Sequence, residues 1–224
     1  MPYQTRQFYE LQGRLILEGK LSFDPSSDEI RHIVLSMFDN LNAGLLLDIG
    51  IGPNPLNDIE LLNRGFSVVA IDVSHSFIIA ARRMFYQKGL EPKFIVSEAI
   101  NLPFRSDTFD LCLCSEVIEH LREPEALLKD INRVLKRGGK LILTTPNRVS
   151  LGSAIFRIKH IFDKKIITVD SSHAKEYTYY EIIGACKKFF KLVAHYHTGI
   201  LPIKGHSFPE AILGKIRKFI VSLP

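Results

Sequence analysis

Five short apolar runs, separated by stretches of helical periodicity, limit what this chain can become more than any other feature. LLLDIG (45–50), SVVAID (67–72), KFIVS (93–97), FDLCLCS (109–115) and KLILTTP (140–146) are brief and bounded by turn residues. Several are almost continuously apolar instead of alternating, the pattern of strands covered on both faces. Between them, SHSFIIAARRMFYQKG and REPEALLKDINRVLKRGG show helical spacing. In the second, Leu127, Leu128, Ile131, Val134 and Leu135 form one stripe, with Gly138-Gly139 as its stop. Strand and helix in alternation imply an α/β chain with a mostly parallel sheet and helices on both faces. Cys112 and Cys114, two apart in one run, point to a single face as small buried hydrophobes.

The flanks follow different patterns. Residues 1–42 read as an N-terminal helical cap segment. In it Ser26 and Glu29 make a capping-box pattern ahead of Ile30, Ile33, Val34, Met37, Phe38 and Leu41 at helical spacing. Residues 43–224 read as the main domain, in which 147–176 is a basic, irregular insertion on the substrate side, too long for a simple connection. YTYYEIIGACKKFF then reads as a helix and KLVAHYHTGI as a strand, while GKIRKFIVSLP fits either a strand or a short amphipathic helix.

Composition narrows the function classes. Of the 224 residues 46% are hydrophobic and 24% charged, which excludes a disordered or fibrous chain. No apolar run approaches the ~18 residues of a membrane-spanning helix, and the first residues lack the apolar core of a signal peptide. Three cysteines are too few for a disulfide framework, so the expected setting is cytoplasmic. Residues 1–150 carry a net −2 and residues 151–224 a net +7. A basic region of this kind suits an anionic substrate, an anionic membrane surface or nucleic acid. Here the charges are spread along the segment, and a solvated basic face accounts for them.

The chemistry concentrates where the runs end. Asp48-Ile49-Gly50-Ile51-Gly52-Pro53-Asn54 closes the first run ahead of a helical stretch through Leu56, Ile59, Leu61 and Leu62. Glycines at such a turn let the backbone bend tightly and approach a ligand, and the helix start behind them offers free N–H groups. Asp72 closes the second run, 22 residues after Gly50, where a carboxylate accepts hydrogen bonds from a ribose diol. Together these indicate a nucleoside-containing cofactor. A dinucleotide fingerprint needs a third glycine where this chain has Pro55, and Asp48 favours a cofactor with a positively charged amino-acid end over a pyrophosphate.

These residues resemble the class I S-adenosylmethionine-dependent methyltransferases, over about positions 43–147 and with four motifs in the family's order. The resemblance implies a Rossmann-like three-layer sandwich whose mostly parallel seven-stranded sheet has the order 3-2-1-4-5-7-6. It implies that Asp48, Gly50 and Gly52 shape the methionine side of the cofactor pocket and that Asp72 takes the ribose, with Val73 beside it. Glu98 and Ala99, in Ser97-Glu98-Ala99, would contact the adenine, with Glu98 in place of the commoner Asp. Ser115 and Glu116, opening Ser115-Glu116-Val117-Ile118-Glu119-His120-Leu121, would flank the sulfonium.

Transfer from a sulfonium needs an aligned nucleophile, exclusion of water and, for a hydroxyl, a proton acceptor. His120 and His173 are the candidate bases or orienting groups. On a helix Glu116, Glu119 and His120 share one face; with His173 they would make an oxygen and nitrogen site suited to Mg²⁺ or Mn²⁺. That pattern is similar to small-RNA 2′-O-methyltransferases and to the O-methyltransferases of ubiquinone biosynthesis. The metal-free reading, in which Glu116 packs by the cofactor and His120 acts alone, is preferred because spacing is weak evidence for a metal. His173 and Tyr177 face substrate in relatives with similar motifs; the competing reading has Thr178 capping a helix and Tyr177 packing. Tyr3, Phe8 and Tyr9 fit either a cover over an apolar substrate or ordinary packing.

The reading that results is methyl transfer to an oxygen of a small-molecule or carrier-linked metabolite. Its rivals are an RNA or protein methyltransferase docking through the basic C-terminal region, and a non-catalytic cofactor-binding module.

Overall fold

A computed structural model of the chain describes residues 3–22, 28–146, 177–198 and 216–222. The Ser26 cap, the 147–176 insertion and His173 lie outside the described residues.

Two helices come first, α1 (Tyr3–Leu17) and α2 (Asp28–Ser36). The alternating unit follows: β1 (Leu45–Ile49), α3 (Leu56–Asn63), β2 (Ser67–Asp72), α4 (His75–Gln87), β3 (Lys93–Val96) and β4 (Phe109–Ser115). After β4 come a single 3-10 turn at Ile118–His120, α5 (Pro124–Val134), β5 (Leu135–Pro146), α6 (Tyr179–Cys186), β6 (Lys191–Thr198) and β7 (Ile216–Ser222).

The strands form one sheet in the order β3-β2-β1-β4-β5-β7-β6. Pairing is parallel from β3 through β5, and β7 runs antiparallel to both of its neighbours. The C-terminal run that fitted either a strand or a helix is therefore a strand, its backbone paired on one side with β5 and on the other with β6.

Successive strand residues feed two cores. Leu46, Ala70, Leu113 and Ile142 pack with Val34 of α2, with Phe38 just after it and with residues of α3 and α4. Their neighbours Leu47, Ile71, Cys112, Cys114 and Leu143 pack on the other face against Leu127, Leu128 and Ile131 of α5 and Ile182 of α6. The period of two, buried on both sides, is why the runs read as continuously apolar. All three cysteines are buried with free thiols, and Cys112 and Cys114 share one face as expected. Among the described residues no helix is long and apolar enough to cross a membrane.

One helix boundary is corrected. The α5 stripe ends at Val134, not at the glycine pair, because Leu135 already pairs with Phe109. The next register pair joins Leu111 to Lys140, so Lys136–Gly139 bulge out of the strand. Gly138 takes φ 76° there, and a Cβ on Gly139 would lie 2.7 Å from the Lys136 carbonyl oxygen. The glycines thus serve a bulge and not a helix end.

Helix α1 lies along α4. A Cβ on Gly13 would come within 2.6 Å of Ser76 Cβ, so the two backbones approach as closely as only glycine permits. Glu10, three residues earlier, accepts hydrogen bonds from Ser76 Oγ (2.6 Å), Ser76 N (3.2 Å) and Ser74 Oγ (3.0 Å). Burial alone would raise the Glu10 carboxyl, yet these bonds and Arg14 hold it below its usual value. Ser74 in turn caps α4, its Oγ accepting from Phe77 N. The N-terminal segment is thereby tied to the start of α4, beside the ends of the parallel strands.

Candidate active site

A cavity of about 570 Å³ opens at the C-terminal ends of β1, β2 and β4, the edge where open α/β sheets bind ligands. Its size lies in the range of small-molecule sites.

The glycine bend makes its inner wall. Gly50 and Gly52 take φ 82° and 62°, left-handed values that favour glycine. Both Gly50 N (2.8 Å) and Ile51 N (3.1 Å) donate to the Ile71 carbonyl, fixing the bend to β2. A Cβ on Gly50 would lie 2.4 Å from Val117 Cγ2, whereas one on Gly52 would meet nothing within 4 Å. The first glycine is needed for packing; the second leaves open space on the cavity side.

Three carboxyls lie along the floor. Asp72 is 7% exposed; its Oδ2 accepts from Gly52 N (3.0 Å) and its Oδ1 from Ser74 N (2.8 Å). Burial pushes this acid up to about 6 even though those amides favour the charged form. Asp48 on β1 and Asp58 on α3 are more deeply buried, at 4% and 2% exposed. Burial, then the adjacent Asp58 carboxyl, hold Asp48 well above the usual carboxylate range, and burial pushes Asp58 up to about 7.

The far side is built from the segment after β4. Glu116 adopts φ 56°, a conformation uncommon for a residue with a side chain and one that concentrates at functional sites. The end of β5 holds it there: Thr144 Oγ1 donates to Glu116 Oε1 (2.7 Å), and Glu116 N lies 3.1 Å from both Thr144 oxygens. Ser115 Oγ and Thr144 Oγ1 are 2.8 Å apart. Glu119, 1% exposed, accepts from Thr145 Oγ1 at 3.2 Å.

Helix α1 supplies the roof. The Tyr9 hydroxyl lies 3.0 Å from each ring nitrogen of His120, and the Tyr9 ring packs edge-on to His120 and tilted on Phe77. Tyr9, Gln12, Phe77 and His120 all line the cavity. The arrangement is an acidic, partly enclosed groove with a histidine at one end. It suits a ligand carrying a positive charge and a diol, with a second molecule held near His120.

Comparison with known proteins agrees with this geometry. Residues 47–143 match the family model described as "Methyltransferase domain". A Xanthomonas oryzae ubiquinone biosynthesis O-methyltransferase is 27% identical over 62% of this chain and 58% of its own length. The chain belongs to the class I S-adenosylmethionine-dependent methyltransferases. An uncharacterized protein of Methanocaldococcus jannaschii is 31% identical to this methyltransferase over 84% of the chain and 72% of its own length. The characterised relatives are matched over a smaller share of their length, as the Xanthomonas enzyme shows. Among solved structures, a Pyrococcus horikoshii protein superposes with a TM-score of 0.68 at 23% identity, covering 88% of this chain and 92% of that one. A methyltransferase of Aquifex aeolicus gives 0.65 at 18% identity over 90% and 94%. These two likenesses concern the fold.

In the methyltransferase the expected residues Asp48, Gly50, Gly52, Asp72, Val73, Ala99, Ser115, Glu116 and His120 all line the one cavity. Glu98 does not. It is exposed and outside the lining, while Ser97 and Ala99 on either side face in. Glu98 lies just past the end of β3, where the chain has left the sheet and the charged side chain turns to water.

The shared helical face of Glu116, Glu119 and His120 does not form either. Glu116 sits at positive φ outside any helix, and only Ile118–His120 make a turn. Among the described residues no group of three or more His, Cys, Asp or Glu side chains is placed to hold a metal ion, so these three do not assemble the Mg²⁺ set that helical spacing suggested. Tyr177 is buried and donates to the Leu121 carbonyl (3.1 Å) while Thr178 and Glu181 form a capping box; of its two readings, the packing one holds.

Sequence reasoning missed Asp58, Asn57, Gln12 and Phe77, which line the cavity. Asp58 left one signal, an acid in a helical stretch between Leu56 and Ile59.

The residues present fit S-adenosylmethionine. Acidic Asp48 and Asp58 suit its ammonium end, and the space beside Gly52 admits close backbone approach. Asp72 spends one acceptor site per oxygen on the amides, leaving others for hydroxyls.

Proposed function

We propose that this methyltransferase acts on an oxygen of a small-molecule or carrier-linked metabolite. The observation that carries the reading is the partly enclosed cavity, roofed by α1, in which Tyr9 and His120 meet opposite the glycine bend. Its volume suits a nucleoside cofactor with a modest acceptor, and the likeness to ubiquinone biosynthesis O-methyltransferases supports oxygen as the methyl acceptor.

Bound in the groove, S-adenosylmethionine supplies a methyl group that is already electrophilic. Gly50, Gly52 and Asp48 bind the methionine side, Asp72 and Val73 the ribose, and Ala99 lies toward the adenine. Ser115 and Glu116, locked by Thr144, shape the wall near the reacting centre. His120 takes the acceptor's proton or orients its hydroxyl, and Tyr9 holds the imidazole in place. Helix α1, clamped to α4 through Glu10, excludes water from this end.

The test has two stages. Native mass spectrometry of the purified protein is expected to detect retained S-adenosylmethionine or its demethylated product. A panel of phenols, other hydroxyl compounds, amines and RNA is then offered with radiolabelled methyl donor. Label on phenols or hydroxyls supports the proposal. Label on RNA, with affinity falling steeply with salt, or on amines alone replaces it, and binding without turnover across the panel favours a non-catalytic module.

A further inference from the structure

Asp48 and Asp58 meet side by side at the cavity floor, both almost fully buried. Their carboxyls lie within hydrogen-bonding reach of one another. Two carboxylates are acceptors only, so a bond between them requires a proton on one. Asp58 Oδ1 is sealed from water, and among the described residues no ordinary donor reaches it. An ionised oxygen left in that state is costly, whereas a carboxyl sharing its hydrogen with Asp48 is satisfied.

Asp72 of β2 adds its charge to the pair, and its own carboxyl is shifted toward the neutral form by burial before any other cause; the Cys112 and Cys114 thiols, on the opposite face of the sheet, are raised by burial in the same way. Around the same cavity lie Arg31 of α2 and Glu116, Glu119 and His120 after β4, each with partners of its own.

We propose that Asp58 is a proton store for the cofactor site: it keeps the Asp48 carboxyl protonated or proton-shared until a cationic amino-acid end settles beside Asp48, whereupon the pair releases a proton to solvent. In that step an O–H bond of the pair breaks, the proton passes to buffer, and an ammonium N–H replaces the lost O–H as the donor to Asp48. Burial raises both acids of the pair, so the exchange lies above the usual carboxylate range. This inference rests on the reading of Asp48 as the seat of the cofactor's amino-acid end.

Calorimetric titration at pH 7, in two buffers of different ionisation heat, tests it with two ligands. S-adenosylhomocysteine carries the ammonium end; 5′-methylthioadenosine lacks it. Proton release is expected with the first and not the second, with affinity for the first rising with pH by up to about tenfold per unit wherever the pair still holds its proton. Asp58→Asn keeps a donor for Asp48 and is expected to abolish the release at pH 7. Equal release from both ligands, or undiminished release in Asp58→Asn, overturns the proposal while leaving the cofactor reading intact. Failure of both ligands to bind overturns the two together. The comparison of ligands on the parent protein decides the matter even where the variant folds poorly.

Discussion

Asp72 Oδ2 accepts a 3.0 Å hydrogen bond from the backbone amide of Gly52. One carboxylate at the end of the second strand therefore holds the glycine bend that follows the first, while facing the cavity itself. The bend and the acid act as one structural unit, since loosening either moves the other.

Asp72→Ala removes the acceptor for Gly52 N and Ser74 N together with the proposed ribose contact. Cofactor affinity is expected to fall more than tenfold, about 1.4 kcal/mol or more. Calorimetric titration checks this, and unchanged affinity would refute the ribose assignment.

Gly50→Ala faces two obstacles, a Cβ 2.4 Å from Val117 Cγ2 and a φ of 82°. Adding Val117→Ala relieves the first and not the second. The double variant is expected to recover part of the lost thermal stability while remaining about 1–2 kcal/mol below Val117→Ala alone, the scale of backbone strain in the left-handed region. Full recovery would show that the bend tolerates a side chain.

Gly13→Ala lies inside a helix, where alanine normally stabilises by about 1 kcal/mol. Here the new methyl would stand 2.6 Å from Ser76 Cβ, and overpacking of that kind costs about 1–3 kcal/mol. A lower melting temperature and faster proteolysis within α1 are expected; a higher melting temperature would mean that α1 does not dock as closely on α4.

Tyr9→Phe keeps the ring against Phe77 and His120 and removes only the hydroxyl. A fall in kcat of about fivefold with little change in KM for the cofactor is expected, one hydrogen bond's worth. His120→Ala is expected to lose about a hundredfold or more if the imidazole moves the proton. Equal, small losses from both would assign His120 to packing.

Burial raises Asp58 to about 7 and Asp72 to about 6, against about 4 in an unfolded chain. Between those values the folded protein binds more protons than the unfolded one, so these acids make stability fall as pH rises from about 4 to about 7. Asp58→Asn removes one contributor, and its stability relative to the parent is expected to improve by roughly 1–3 kcal/mol from pH 4 to pH 8. Chemical denaturation at several pH values measures this. Parallel stability curves for the two proteins would contradict it.

The parallel core of the fold was legible because its strands are buried on both sides: LLLDI, SVVAI and FDLCLCS have little room for polar residues, so their composition reports their position. The glycine bend and Asp72 were legible for a related reason, since backbone conformation and a strand-end carboxylate are local requirements that mark the sequence itself. The glycine pair after α5 misled, because glycine marks both a helix stop and a bulge, and only pairing of Leu135 with Phe109 separates them.

What the tertiary structure alone decided are the contacts between distant segments. Tyr9 meets His120 across 111 positions of sequence, Glu10 bridges to Ser74 and Ser76, and Asp58 comes to rest against Asp48. Helical spacing put Glu116 on a face with His120, yet its hydrogen bonds to Thr144 hold it outside any helix. A periodic pattern records whether a residue is covered; it does not record which other segment covers it, because that depends on how whole helices dock on the sheet.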